Sequence, residues 1–235
     1  MIHHIVRIMF MDMHRELSRD PAWWDYRIDF FQRYTLASLR AQTMQDFHLW
    51  IYSERGLEKF AEPLRQVCPD AAFTFGEHYP APDLAADDFV YLTRIDSDDL
   101  YAPDALEIVG AQEPRVWPRD NKGSGVEALM FRRGYLHDVR DGRWGVYEKQ
   151  SSPFHTLAFP ADVFCDPAKF RQAFEPKHHL ICGAYPWRKL PDFKFCVLLH
   201  GRNTGSTWEN SCHWQLESFG HRQPNILQTL WEPTA

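Results

Sequence analysis

The sequence has no apolar run approaching the ~20 residues that a membrane-spanning helix needs. Its first residues, Met1 to Arg7, also lack the basic and then apolar pattern of a secretory signal. Cysteine is scarce: Cys68, Cys165, Cys182, Cys196 and Cys212 are odd in number and form no CxxC pair. That usage argues against a disulfide framework or a zinc ribbon, and the expectation is reduced thiols in a cytoplasmic protein. There is no basic excess either. With 26 Lys and Arg against 32 Asp and Glu, the net charge of −6 gives no field to capture nucleic acid, which is excluded as a partner. Between Arg7 and Asp20 there is no glycine, so no glycine-rich phosphate loop follows the first apolar segment.

What is present is a substantial core. Hydrophobic residues make up 44% and aromatics 15% of 235 residues, enough for one α/β domain and against intrinsic disorder. Apolar and β-branched runs predict strands over 2–11 (interrupted by Arg7), 48–52, 72–75 and 89–95. Helical spacing of Ile28, Phe31, Leu36 and Leu39 predicts a helix over 23–41, and a second is expected over 57–67. A further helix is expected from about Tyr101, with Pro103 in its first turn. This alternation points to a mainly parallel central sheet flanked by helices. After Gly110 the pattern turns to short strands over 131–135 and 145–149 and a later one over 195–199. No repeat or linker interrupts the chain.

The strand over 89–95 runs into Asp96-Ser97-Asp98-Asp99. Carboxylates crowded at a strand end raise one another's pKa unless a cation compensates. Mg²⁺ or Mn²⁺, hard ions that also hold phosphates, would supply that charge. Open α/β sheets bind ligands at the carboxyl ends of their strands, which suits the position. An EF-hand is excluded because Leu100 and Tyr101 stand where its next ligand and glycine belong. Helix capping by Asp99 is the competing role. Arg7 and Arg94, on or beside strands, each need an anionic partner, whether a carboxylate of the site or a ligand. Arg202, on a Gly/Asn/Ser loop after the strand over 195–199, could reach diphosphate oxygens.

Several stretches together resemble a known family. The run from Phe30 to Thr43, followed by Asp46 to Tyr52, is similar to the first helix and second strand of GT-A glycosyltransferases. Arg7, Trp24, Arg27, the run Thr93-Arg94-Ile95-Asp96-Ser97-Asp98-Asp99, Ser152 to Thr156 and His200-Gly201-Arg202-Asn203 resemble the putative rhamnosyltransferase family within that group. The resemblance covers the chain to about Trp208. It implies a GT-A fold, with residues 1–110 as the nucleotide-sugar-binding half and 111–235 as the acceptor half. It also implies a metal-dependent transferase using a nucleoside-diphosphate sugar, with a glycan, lipid-linked or small-molecule acceptor; a homo-oligomer is a further partner to consider.

On that resemblance Asp98 is the direct metal ligand, Asp96 lies nearer the ribose or a metal-bound water, and Asp99 and His200 complete the shell. Arg7, Arg94, Asp96 and Arg202 contact the donor. Inversion at the sugar needs a carboxylate base, for which Asp162, Asp166 and Glu175 are the candidates, with His155, His178 and His179 able to act near neutral pH. Trp117, Trp144, Trp187 and Trp208 are candidate sugar platforms. Two other readings stay open: a nucleotidyltransferase or diphosphate hydrolase on a similar sheet, and a non-catalytic sugar-nucleotide-binding module.

Overall fold

The computed structural model describes residues 1–10, 16–76, 78–79, 84–115, 117, 125–174, 178–203 and 206–215. The first strand, β1 (Ile2–Met9), is followed by α1 (Pro21–Phe31), which Asp20 caps by accepting from the Ala22 amide. The helix continues through a π-type turn at Gln32–Leu36 into α2 (Ala37–Arg40), so the expected 23–41 helix is one rod with a local widening. Then come β2 (His48–Ser53), α3 (Glu62–Val67), β3 (Ala72–Phe75) and β4 (Phe89–Asp96). β5 (Leu100–Tyr101) and α4 (Ala105–Gly110) follow. The second half contributes β6 (Glu127–Met130), β7 (Arg133–Asp138), β8 (Arg143–Glu148) and β9 (His155–Pro160). It then adds α5 (Ala161–Phe164), α6 (Pro167–Phe174), α7 (Ile181–Ala184) and β10 (Trp187–Lys189). The last described elements are β11 (Phe195–Leu199), α8 (Trp208–Ser211) and β12 (Trp214–Gln215).

Two sheets form. The larger has the order β10-β6-β9-β4-β1-β2-β3, and every pairing is parallel except those of β9. The mainly parallel sheet expected from the sequence is therefore present, and strands from both halves of the chain build it. The smaller sheet, β12-β8-β7-β11-β5, stands beside it. Alternation along the strands separates two apolar layers. Val6, Ile8, Ile51, Tyr91 and Ile95 pack with Trp24, Ile28 and Phe31 of α1. Ile5, Trp50, Val90, Leu92 and Leu157 face the other way, against Phe164, Phe170 and Ile181 from the α5–α7 segment.

Three details depart from the sequence expectation. Residues 100–101 form a strand rather than a helix start, because Leu100 and Tyr101 pair with Cys196 and Phe195 of β11. The helix begins only at Ala105, after Pro103. Residues 155–160, for which the sequence patterns gave no element, form the antiparallel strand β9 beside β4.

The smaller sheet closes on an aromatic stack in which Phe154 and Phe195 lie 3.8 Å apart at 14°. Gly134 in β7 faces that stack, and a Cβ there would stand 2.5 Å from the Phe195 ring, which is fully buried and cannot yield. Gly134→Ala is therefore expected to cost about 1–3 kcal/mol through overpacking, read as a lower midpoint in denaturant; an unchanged midpoint would contradict this packing.

Candidate active site

The carboxyl end of β4 is where buried charge converges. Asp99 donates its amide to the Asp96 carbonyl, turning the chain sharply between β4 and β5. Downstream, Gln42 holds the next segment: its Nε2 donates to the Ala102 carbonyl at 2.8 Å and its Oε1 accepts from the Leu106 amide at the start of α4. Thr43 adds an amide bond to the Pro103 carbonyl and a hydroxyl bond to Glu107. The Gln-Thr pair that carried part of the family resemblance thus fastens α2 to the chain leaving the Asp turn.

Arg27, one turn before the end of α1, reaches into that turn. Its Nε donates to Ser97 Oγ at 2.7 Å, and its two Nη atoms grip Asp98 at 2.7 and 2.9 Å. Both side chains are buried. A two-pronged guanidinium–carboxylate pair is the strong form of this interaction. His200, directly after β11, places Nε2 3.0 Å from Asp98 Oδ2. The Arg202 amide donates to His200 Nδ1, and the Tyr26 hydroxyl lies 3.0 Å from it, so these partners assign the imidazole proton to Nε2 and make it a donor to Asp98. Asn203 donates to the same Asp98 oxygen at 3.3 Å and to the Leu198 carbonyl, while its Oδ1 accepts the His200 amide. Gly201, at φ +78°, permits this tight loop.

Burial pushes the Asp98 carboxyl up, but Arg27 and His200 more than offset it and hold its pKa below the usual range. Asp99 moves the opposite way. Burial first, then Asp98 and Asp96, raise it well above the carboxylate range. Its Oδ1 accepts from the Leu198 amide, so it faces β11 instead of the mouth of the site. Asp96 is the more open carboxylate, 31% exposed at the side chain, and takes a 2.8 Å bond from Arg94. Arg94 in turn neighbours Arg7 across the β1–β4 register. Arg7 is packed against the Trp50 and Tyr52 rings at 4.6 and 4.2 Å, and burial, with Arg94 adding to it, lowers its pKa to about 9. Arg202 is exposed and lies over the Tyr26 ring at 4.4 Å, at the rim beside His200.

The structure thus joins Asp96, Asp98, Asp99, His200, Arg94 and Arg202 in one neighbourhood, with Arg7 behind them. Two of the expected carboxylate bases, Asp162 and Asp166, are not there. β9 runs antiparallel to β4, with Pro160 opposite Phe89, so α5 and α6 lie at the far end of the strand. Seven residues of strand separate that end from Asp96, roughly 23 Å. Asp162 pairs with Lys169, and Asp166 caps α6 through the Ala168 and Lys169 amides. Both therefore have structural partners remote from the Asp turn, which corrects their assignment as catalytic bases. Glu175 lies outside the described residues, as does the side chain of His178, and His179 is exposed in a short turn after α6. His155 is at the near end, one step beyond the Thr93–Thr156 pair. Of the tryptophans, Trp144 is stacked on His137 and Trp208 lies under Arg143, both buried, whereas Trp187 is 36% exposed.

A Mg²⁺ or Mn²⁺ ion needs lone pairs converging on one point. Among the described residues no group of three His, Cys, Asp or Glu side chains could hold a metal. Asp98 Oδ2 already accepts three hydrogen bonds, His200 presents a proton at Nε2, and Asp99 faces β11. The residues present do not fit the four-ligand shell expected from the sequence.

A family model described as "Putative rhamnosyl transferase" matches residues 8–210. The chain belongs to that family of glycosyltransferases. Among solved structures, the chain is similar to a Staphylococcus aureus TarS fragment (residues 1–349) at 12% identity and a TM-score of 0.42, over 83% of this chain. It spans 60% of the length of that TarS chain. A putative nucleotide-diphospho-sugar transferase from Desulfovibrio desulfuricans G20 is similar at 14% identity and a TM-score of 0.37, over 90% of this chain and 92% of its own. No curated protein matches.

Asp99 supplies a test of the charge balance. Because its folded-state pKa is raised, the native state binds the extra proton and loses stability as pH climbs from the ordinary carboxylate range through the folded pKa. Asp99→Asn keeps the acceptor for the Leu198 amide and removes the ionisation. The variant's melting temperature should gain on wild type between pH 4 and pH 8; a difference that stays flat or falls would show that Asp99 is ionised in place.

Proposed function

We propose that the protein is a glycosyltransferase that takes its sugar from a nucleoside-diphosphate sugar and passes it to a hydroxyl of a glycan, lipid-linked or small-molecule acceptor. The observation that carries this reading is the Asp96–Asp99 turn, closed by Arg27, Arg94 and His200 at the carboxyl end of a parallel strand, in a chain of this family. A deoxyhexose such as rhamnose is the first donor to try, on the family's description. Free cysteines at 68, 165, 182, 196 and 212 suit a reducing cytoplasm, and no helix among the described residues is long and apolar enough to cross a membrane.

The residues divide the work by exposure. Asp96, the open carboxylate, accepts from the ribose hydroxyls of the donor. Arg94 sets the angle of Asp96 and, with Arg202 at the rim, faces the diphosphate. Breaking the glycosidic bond builds negative charge on that leaving group, and fixed guanidinium groups stabilise it without reorganising. Arg7, buried behind Arg94, adds positive potential without touching the ligand.

Thermal shift with UDP-, GDP-, dTDP- and CDP-sugars tests the reading. One of them should raise the melting temperature, with about 2.7 kcal/mol of stabilisation at a hundredfold excess over its dissociation constant. Asp96→Ala should weaken that nucleotide at least about tenfold, equivalent to roughly 1.4 kcal/mol. Asp162→Asn, remote from the turn, should transfer sugar at the wild-type rate. No stabilisation by any of the four would remove the proposal, and diphosphate released from a nucleoside triphosphate would favour the nucleotidyltransferase alternative.

A further inference from the structure

We infer that the Arg27 guanidinium holds the place of the cation at the Asp96–Asp99 turn, so that the protein binds its nucleoside diphosphate without a divalent metal. This rests on the nucleotide-sugar reading above and goes beyond it. Both oxygens of Asp98 are committed to Arg27, and Oδ2 also accepts from His200 and Asn203. A metal at Asp98 would have to displace Arg27 and leave a buried guanidinium without its counter-charge, which is strongly unfavourable. His200 Nε2 carries the proton it gives to Asp98, since Nδ1 takes the Arg202 amide. Asp99 Oδ1 is held by the Leu198 amide and Asp96 Oδ1 by Arg94. Each expected ligand thus has a protein partner in place of an ion.

The arginine is suited to the task. A guanidinium carries five N–H donors in a fixed plane. Three of them serve Ser97 and Asp98; the two that remain, one on each Nη, point to opposite edges of the fork, and one of them is left for an oxygen of a phosphate approaching the turn. Asp98 then acts as a positioning residue: it fixes the plane of Arg27 so that this donor stays aimed. Ser97 locks the Nε edge, and Trp23 lies beneath with its ring 5.6 Å from the guanidinium carbon.

Two measurements on the 235-residue chain decide it. Calorimetric titrations with UDP, GDP, dTDP and CDP, run in EDTA and again with Mn²⁺, should give for the preferred nucleotide dissociation constants that agree within about threefold, well under the tenfold that 1.4 kcal/mol represents. Manganese EPR should find no protein-bound Mn²⁺ in wild type. Arg27→Ala should bind Mn²⁺, because it releases the Asp98 carboxylate beside His200, while Arg27→Lys should not. Binding that weakens more than about tenfold in EDTA and returns with Mn²⁺ overturns the inference and leaves the nucleotide-sugar reading standing. No binding in either buffer overturns both. Should Arg27→Ala fail to fold, the wild-type titrations and EPR decide alone.

Discussion

The pair between Arg27 and Asp98 is the interaction on which the site depends. It joins a helix of the first half of the chain to the strand end that carries the carboxylates, and it does so where neither charge has water to fall back on. Breaking such a buried pair by removing one partner costs about 3–5 kcal/mol, mostly for the charge left behind. Its geometry therefore fixes the distance between α1 and β4. Through Asp98 the same carboxylate also collects His200 and Asn203 from the loop after β11. Three segments far apart in sequence meet on one side chain.

That arrangement explains why the surrounding residues are as they are. Tyr26 and Phe30, on the same face of α1 as each other, flank His200, with the Phe30 ring 4.3 Å from the imidazole. Gln42 and Thr43 at the end of the helical rod tie down the chain that leaves the Asp turn. The π-type turn at Gln32–Leu36 lies between these two sets of contacts. A π turn inserts a residue and rotates everything beyond it. It lets one rod present Arg27 to Asp98 and Gln42 to Ala102, two targets that a uniform helix would have to meet with a single phase.

Much of this was legible in the sequence, and the failures have physical causes. β4 and its acidic end could be read because a β-branched, aromatic strand running into three carboxylates is a local pattern. The mainly parallel character of the central sheet followed from the alternation of helix and strand. Arg27 was visible only as part of a family resemblance: on a helical pattern it looks like any polar residue, and its burial comes from a partner 71 positions away. β9 was missed because His155 to Pro160 is short and borders a proline, and its place beside β4 is a long-range choice. That omission misplaced the base. As the exit of an antiparallel strand, residues 160–166 leave at the end of the sheet opposite Asp98.

The carboxylate cluster itself shows how a sequence signal is legible for charge while the contacts that compensate it are set by residues far away in the chain. Three aspartates in four residues demand positive charge nearby, and that demand is real: Arg27, Arg94 and the raised pKa of Asp99 each answer part of it. A metal is the economical answer only when the protein offers no cation of its own. Here α1 delivers one along an aromatic wall of Trp23 and Trp24, the second held by its indole N–H on the Ser18 carbonyl at 2.8 Å. The packing of α1 on the sheet and the electrostatics of the turn are then one constraint. The helix cannot shift without exposing the Trp24 layer, and Asp98 cannot turn toward an ion without stranding Arg27. A ligand that brings two negative charges to this turn meets a guanidinium whose orientation was settled when the core packed.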